Sequence, residues 1–505
     1  MTSSRCLLNV GAERPQLVTP ATPAMRLTLL ALVGGLLSGQ PQTTVAQELA
    51  ARGALAPGQL AITNVSVVPM TGNSVLRDAT VLVRDGRITR VGSLRDVRVP
   101  QGARVIDGGG GYLIPGLADM HTHLFSDGDE VPDSAGPAEL GVMVANGVTA
   151  VRFMIGTPEQ LALREAVRAG TVIGPQLWVA SPQLTGRASE NAIVTTTDAE
   201  AREAVRRVKR EGYDFVKLTL FLTPPVWESI ISEAAHQKIP VVGHVEPDVG
   251  VMRAAAAGQQ LEHLDSFLEA ALADSAPMKT SLTQGRIFNM RNWPSLDFID
   301  ARKIDQLARA VARSGVYVGP TQNVFNTAFG TGESLDTIRA RQDFKHWPPR
   351  LREGYLRAHA RYWAAANDSL KTPARRAKYV AVRNQFLKSI QDAGGKLIAG
   401  SDTPEWFHLY GFGLHRELGA MVQAGLTPYE ALATATRNPA ELLGAGAQWG
   451  TIEPGKRADL VLVAGNPLED ITNTARIRGV AIGGRWLDRA ALDEMIARGE
   501  RATGL

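Results

Sequence analysis

From Leu117 onward the chain alternates short apolar runs with longer amphipathic ones. Eight runs read as strands: "LADMHTH", "VTAVRFM", "QLWVASP", "DFVKLTL", "PVVGHV", "QLEHL", "VYVGPT" and "KLIAGSD". Continuous apolar runs of this length, bounded by Gly, Pro or polar breaks, suit strands buried on both faces of a parallel sheet. Between most of them lie segments of helical period, such as "TDAEAREAVRRVKREG", "PVWESIISEAAHQK" and "DARKIDQLARAVARSG". This alternation predicts an α/β chain with a (β/α)8 TIM-type barrel over residues 117–440. An open doubly wound sheet is the alternative, but nothing would stop it at eight strands.

The flanks carry a different period. "ATVLVRDGRITRVGS" holds two alternating runs around Asp85-Gly86, a strong hairpin signal. Similar texture returns in "GTIEPGKRADLVLVAG" and "RIRGVAIGGRWL". These flanks predict a small composite β-sandwich domain made from residues 47–116 and 441–505. Two intervals are too long for simple connections, Phe267 to Ser295 and Asn323 to Gln391. The second reads as mostly helical. Both follow carboxyl ends of strands, where barrels build their sites, so both are lid or specificity candidates.

Residues 1–46 read as a leader. Arg26 precedes the apolar run "LTLLALVGGLL", and "TVAQ" supplies a small-x-small cleavage site near Ala46, with Met25 as a second possible start. Eleven apolar-rich residues are too few for a membrane anchor, so a secreted or periplasmic chain is expected, with no anchor after the leader is removed. Cys6, the sole cysteine, lies in that leader, so the mature chain would have neither disulfide nor thiolate ligand.

Apolar residues make up 44% and charged residues 21% of the 505, which is globular composition. The formal charge of +4 and the lack of a basic cluster interleaved with aromatics argue against nucleic acid. A small-molecule substrate is the expected partner, and a homo-oligomer is compatible with the composition.

The chemistry lies at the strand ends. The first strand ends in His121-Thr122-His123, which places two imidazoles on one face. The fourth contributes Lys217, the fifth His244, the sixth His263 and the eighth Asp402. Four of the nine histidines thus face one barrel mouth. Neutral imidazole and carboxylate are good ligands for Zn²⁺, whereas lysine is a poor one while charged. Buried beside metal ions, Lys217 should lose its proton and could take up CO₂ as a carbamate, a carboxylate on a long arm able to bridge two ions. Arg152, at the end of the second strand, and His408 and Tyr410, after the eighth, are candidate substrate contacts, although a structural salt bridge also suits Arg152. His236, His359 and His415 read as surface or packing residues of helices.

"PGLADMHTHL", Lys217, His244, Glu262-His263 and "GSDTP" resemble the amidohydrolase superfamily, in its imidazolonepropionase-like branch with Xaa-Pro dipeptidases. "GLTPYEALATATRNPAELLG" and "GTIEPGKRADLVLVAGNPLEDI" extend the resemblance, which runs from about Gly58 to Arg485. It implies two divalent metal ions, Zn²⁺ by preference, with Lys217 N-carboxylated. His121, His123, Lys217 and Asp402 would hold the buried ion, and Lys217, His244 and His263 the more exposed one. Asp402 would carry the catalytic proton from a metal-bridging hydroxide to the leaving amine. The implied function is hydrolysis of an amide bond in a small molecule such as a dipeptide. The alternatives are a lactone, carbamate or phosphoester hydrolase on the same scaffold, or a non-catalytic binding barrel. Two departures fall near the expected substrate. Pro224 and Pro225 follow the lysine strand where relatives often carry a Gly-rich turn, and Phe153 follows Arg152 where an acid is common.

Overall fold

The computed structural model describes residues 58–127, 131, 133–189, 191–276, 290–331, 334–366 and 371–504. The leader expected over residues 1–46 therefore lies outside the described residues. Among those described, no helix is long and apolar enough to cross a membrane.

The eight expected strands all form: β1 (Leu117–Thr122), β2 (Val148–Phe153), β3 (Gln176–Val179), β4 (Val216–Leu218), β5 (Val241–Gly243), β6 (Gln260–Glu262), β7 (Tyr317–Gly319) and β8 (Lys396–Leu397). They pair in parallel, β1-β2-β3 in one sheet and β4 to β8 in consecutive order in another. Two three-residue strands that the sequence pattern does not announce, Gln183–Thr185 and Ala192–Val194, extend the second sheet beyond β4. Single parallel bridges link Ala180 to Phe215 and Thr122 to Thr403, so β3 meets β4 and the segment after β8 meets β1.

Helices return the chain between strands. In Asp198–Glu211, Thr197 and Glu200 form a reciprocal capping box, and Gly212 ends the helix at φ 85°. Ala201, Ala204, Val205 and Val208 form the buried stripe, at the three- and four-residue spacing seen in the sequence. The described residues of the long interval after β7 are mostly helical, as expected. Its last helix, Pro373–Asp392, packs against Ala301–Ser314 and belongs to the regular strand–helix alternation. The excursion is therefore shorter than residues 323–391. It ends before that helix.

Both ends of the chain meet in one eight-stranded sheet. Its order runs Arg485–Asp488, Ile477–Ile482, Leu460–Val463, Tyr112–Pro115, Leu60–Val67, Leu76–Arg84 and Arg87–Ser93, with Arg104–Asp107 beside Leu60–Val67. The Asp85-Gly86 hairpin is present, with both residues at positive φ (51° and 77°), the type that matches strand twist. Ile62, Val67, Val81, Leu113, Leu460, Leu462 and Trp486 pack together into a separate small core. The final helix, Arg489–Thr503, leaves this sheet and packs on Gly136–Ala145 of the α/β part.

Candidate metal centre

The carboxyl end of β1 is clasped by the segment after β8. His123 N donates to Thr403 O (2.7 Å) and Asp402 N donates to His121 O (2.7 Å). A Cβ on Gly400 would lie 2.6 Å from the His121 Cβ, so only glycine admits this approach. Asp402 (φ 51°) and His263 (φ 63°) both hold left-handed backbone, which costs a non-glycine residue about 1–3 kcal/mol and is concentrated at functional sites.

These turns bring side chains from five segments together. Asp402 Oδ1 lies 3.4 Å from Nε2 of both His121 and His123, and Oδ2 lies 3.7 Å from His263 Nδ1. One ligand atom each of His121, His123 and Asp402 falls within 4.8 Å of the others. The His263 ring stands between those of His121 and His244, 4.6 Å from each. Lys217 is buried on β4 between Val216 and Leu218, and the charges of Glu262, Asp402, Arg152 and Asp265 act on it.

Three of the four imidazoles have their second nitrogen engaged. His121 Nδ1 meets Glu262 Oε2 (2.9 Å), His244 Nδ1 meets Asp265 Oδ2 (2.6 Å) and His263 Nδ1 meets Thr321 Oγ1 (2.8 Å). Because Thr321 Oγ1 already donates to Pro320 O, it accepts from His263. Each Nδ1 is thereby fixed as the donor and each Nε2 keeps its lone pair, the outer-layer arrangement of metal-binding histidines. Burial holds the His121 and His263 imidazoles well below their ordinary pKa, assisted by Lys217 at His121 and by His244 at His263. Neutral imidazole is the form that binds metal. Burial also lowers the Lys217 ammonium, against the pull of Glu262 and Asp402. At Asp402 burial acts to raise the pKa, but the hydrogen bond from His123 and the charges of His263, His123 and Lys217 outweigh it and leave the carboxyl below its usual range. The donor set fits one or two divalent ions.

The three expected substrate contacts stand elsewhere. Arg152 is 0% exposed, with Nη2 donating to Glu262 Oε1 (2.6 Å) and Nε to Met120 O (2.7 Å). It forms the structural salt bridge and acts on His121 through the Glu262 carboxylate. His408 is 1% exposed and lies beside Asn323 Nδ2 (3.2 and 3.3 Å from its ring nitrogens). Tyr410, 2% exposed, packs on Phe125, which in turn stacks edge-on against Trp347. The backbone turns back at Trp406 (φ 48°) and Phe407 (φ 64°), which carries both residues inward from the rim. His415 is structural as expected, held by Thr474 Oγ1 and Asn146 O. His236 is exposed on its helix, and His359 is buried packing.

Sequence reasoning missed the supporting layer. Asp119 accepts from Ser401 N and Oγ and from His121 N, and burial pushes its carboxyl up to about 7. Glu262 is likewise raised to about 7 by burial, against the lowering effect of Arg152 and Lys217. Arg383 Nη1 donates to His263 O (2.7 Å) and Nη2 to Pro320 O (2.8 Å). The available signal was an acid inside or beside an apolar strand, Asp119 in "LADMHTH" and Glu262 and Asp265 in "LEHLD".

Residues 112–487 match the model of the amidohydrolase family. An imidazolonepropionase of Symbiobacterium thermophilum is 24% identical over 413 residues, 78% of this chain and 86% of that protein. An imidazolonepropionase of Idiomarina loihiensis is 42% identical over 77 residues, 15% of this chain and only 19% of its own length. Among solved structures, a bottromycin amidohydrolase superposes with TM-score 0.69 at 23% identity, covering 92% of this chain and 95% of that one. A putative prolidase from Bifidobacterium longum gives TM-score 0.63 at 22% identity over 88% of this chain and 100% of its own. These two likenesses carry the fold.

Proposed function

The chain belongs to the amidohydrolase family, and from that premise we propose that it is a metal-dependent hydrolase cleaving the amide C–N bond of a small molecule such as a dipeptide. The observation that carries this reading is the gathering of His121, His123, His244, His263, Lys217 and Asp402, with His121 and His263 kept neutral by burial and the second nitrogens of His121, His244 and His263 engaged.

On this reading His121, His123, Lys217 and Asp402 would hold one divalent ion, and Lys217, His244 and His263 would hold the other, with zinc best suited to the donors. Bound there, the ions would supply a water of lowered pKa and polarise the scissile carbonyl. Lys217 reaches the bridging role by covalent change. Its neutral Nζ attacks CO₂, an N–C bond forms as one C–O π bond opens, and the nitrogen's proton passes to water, leaving a carbamate anion. Burial, assisted by the Arg152 charge and working against Glu262 and Asp402, favours the neutral amine this step needs. Asp402 accepts the proton of the attacking water and returns it to the leaving nitrogen. Arg152, Glu262, Asp265 and Thr321 keep the imidazoles aimed throughout.

The fold reading belongs with this. The bridges at Ala180–Phe215 and Thr122–Thr403 support a closed eight-stranded barrel over residues 117–440. The separate small core supports a second β domain from residues 47–116 and 441–505. The leader pattern ending near Ala46 supports export to the periplasm or medium.

The test is a panel of dipeptides, N-acyl amino acids, aryl esters and phosphoesters offered to the zinc-loaded chain from residue 47 onward. Amide hydrolysis that chelation abolishes and zinc restores is expected. Activity confined to phosphoesters would overturn the amide assignment.

A further inference from the structure

Three residues beyond β4, and therefore at the same end as Lys217, Phe221 holds a left-handed backbone (φ 71°) with its side chain 42% exposed. Both features cost energy. A glycine would adopt this φ without strain, and a phenylalanine gains most when buried. The turn is nonetheless pinned on two sides. Phe221 N donates to Oε1 of Glu246 (2.5 Å), a buried carboxylate two residues past His244. From the other side Thr185 Oγ1 donates to Leu220 O (2.7 Å), as does Gly186 N (3.3 Å). A Cβ on Gly186 would lie 1.9 Å from Phe221 O, so the two loops interlock. The chain fixes an aromatic face toward solvent beside the loop that carries His244.

That face bears a cation. The Arg187 guanidinium sits over the Phe221 ring, 4.7 Å from its centroid, on an exposed side chain. Among the described residues no carboxylate pairs with it. An arginine held over an aromatic ring keeps N–H groups free for a planar anion, and the contact reduces the rotamer freedom lost on binding. The ring beside it offers apolar area.

We propose that Arg187 and Phe221 form a substrate subsite at the mouth of the metal centre, selecting amides that carry a free carboxylate next to an aromatic or large apolar group. This deepens the amide-hydrolase reading and rests on it for the location of the scissile bond. Arg187 pairs with the carboxylate, Phe221 supports the apolar group, and Glu246 holds the platform relative to His244.

The experiment uses N-acetyl-L-phenylalanine and its N-methylamide, which differ in the carboxylate. Wild type is expected to favour the acid by about tenfold or more in kcat/KM, expressed in KM. Arg187→Gln should collapse that ratio to near unity, and Arg187→Lys should restore part of it. Phe221→Gly should raise KM for the acid without lowering Tm, because the strain is relieved. Calorimetric binding of N-acetyl-L-phenylalanine to the same variants reads the subsite independently of turnover. Should no amide be hydrolysed while Arg187→Gln still weakens binding about tenfold, the amide reading fails and the subsite stands. A wild type that does not discriminate, or an Arg187→Gln variant that keeps both the ratio and the binding, overturns the subsite.

Discussion

At the scale of single residues, the strand-end positions of the candidate ligands were legible. His121 with His123 follows from strand alternation, and Lys217, His244, His263 and Asp402 each close an apolar run. What holds them was less so, because contacts such as Arg152 with Glu262, 110 residues apart, leave no local period. Arg152 forms the salt bridge that its position also suited, whereas His408 and Tyr410 are buried rather than exposed at the rim. A strand-end address says nothing about whether the side chain then turns into the core. Asp402 is placed among three imidazoles with its carboxyl below the usual range. Asp402→Asn should therefore reduce kcat by about 10²–10⁴-fold while the thermal midpoint changes little. Activity within a few-fold of wild type would remove it from proton transfer.

Among elements, the eight strands and the helical texture of the post-β7 interval could be read from periodicity, whereas Gln183–Thr185 and Ala192–Val194 could not, three residues being too few to show a period. Two buried charges organise the turn after β7. Arg383, reaching from the helix Pro373–Asp392, donates to His263 O and Pro320 O. Replacement by Met would orphan the His263 carbonyl, at about 1–3 kcal/mol, while Pro320 O keeps the Thr321 hydroxyl, and should weaken metal binding on the His244–His263 side. Unchanged Tm and metal affinity would show that the clamp is dispensable. Glu417 accepts from Gln322 N (2.8 Å) and Asn323 N (2.7 Å), and burial raises its carboxyl from 4.5 to about 7. A folded pKa above the unfolded one gives stability that is present below pH 4.5 and lost as pH rises toward 7. The Tm advantage of wild type over Glu417→Gln should thus shrink across that window. A difference that grows with pH would mean the carboxylate is stabilised in its charged form.

For the molecule as a whole, the pairing of its two ends was foreseen from the matching texture of the flanks, and the sheet joining Leu60–Val67 to Leu460–Val463 through Tyr112–Pro115 follows that expectation. The docking of Arg489–Thr503 onto Gly136–Ala145 was not, since an amphipathic helix does not state which surface it will cover. Deleting residues after Asp488 leaves the sheet but strips the buried Leu492 and Met495 from that surface, at about 3–6 kcal/mol, and should lower Tm correspondingly. An unshifted Tm would mark the helix as an appendage. The central claim concerns how distant segments combine, since Lys217 alone is asked to serve both ions. Counting zinc equivalents bound per chain, in bicarbonate, for wild type and Lys217→Ala tests it most directly. The account predicts two for wild type and at most one, without hydrolysis, for the variant. Two equivalents and undiminished hydrolysis in Lys217→Ala would contradict it.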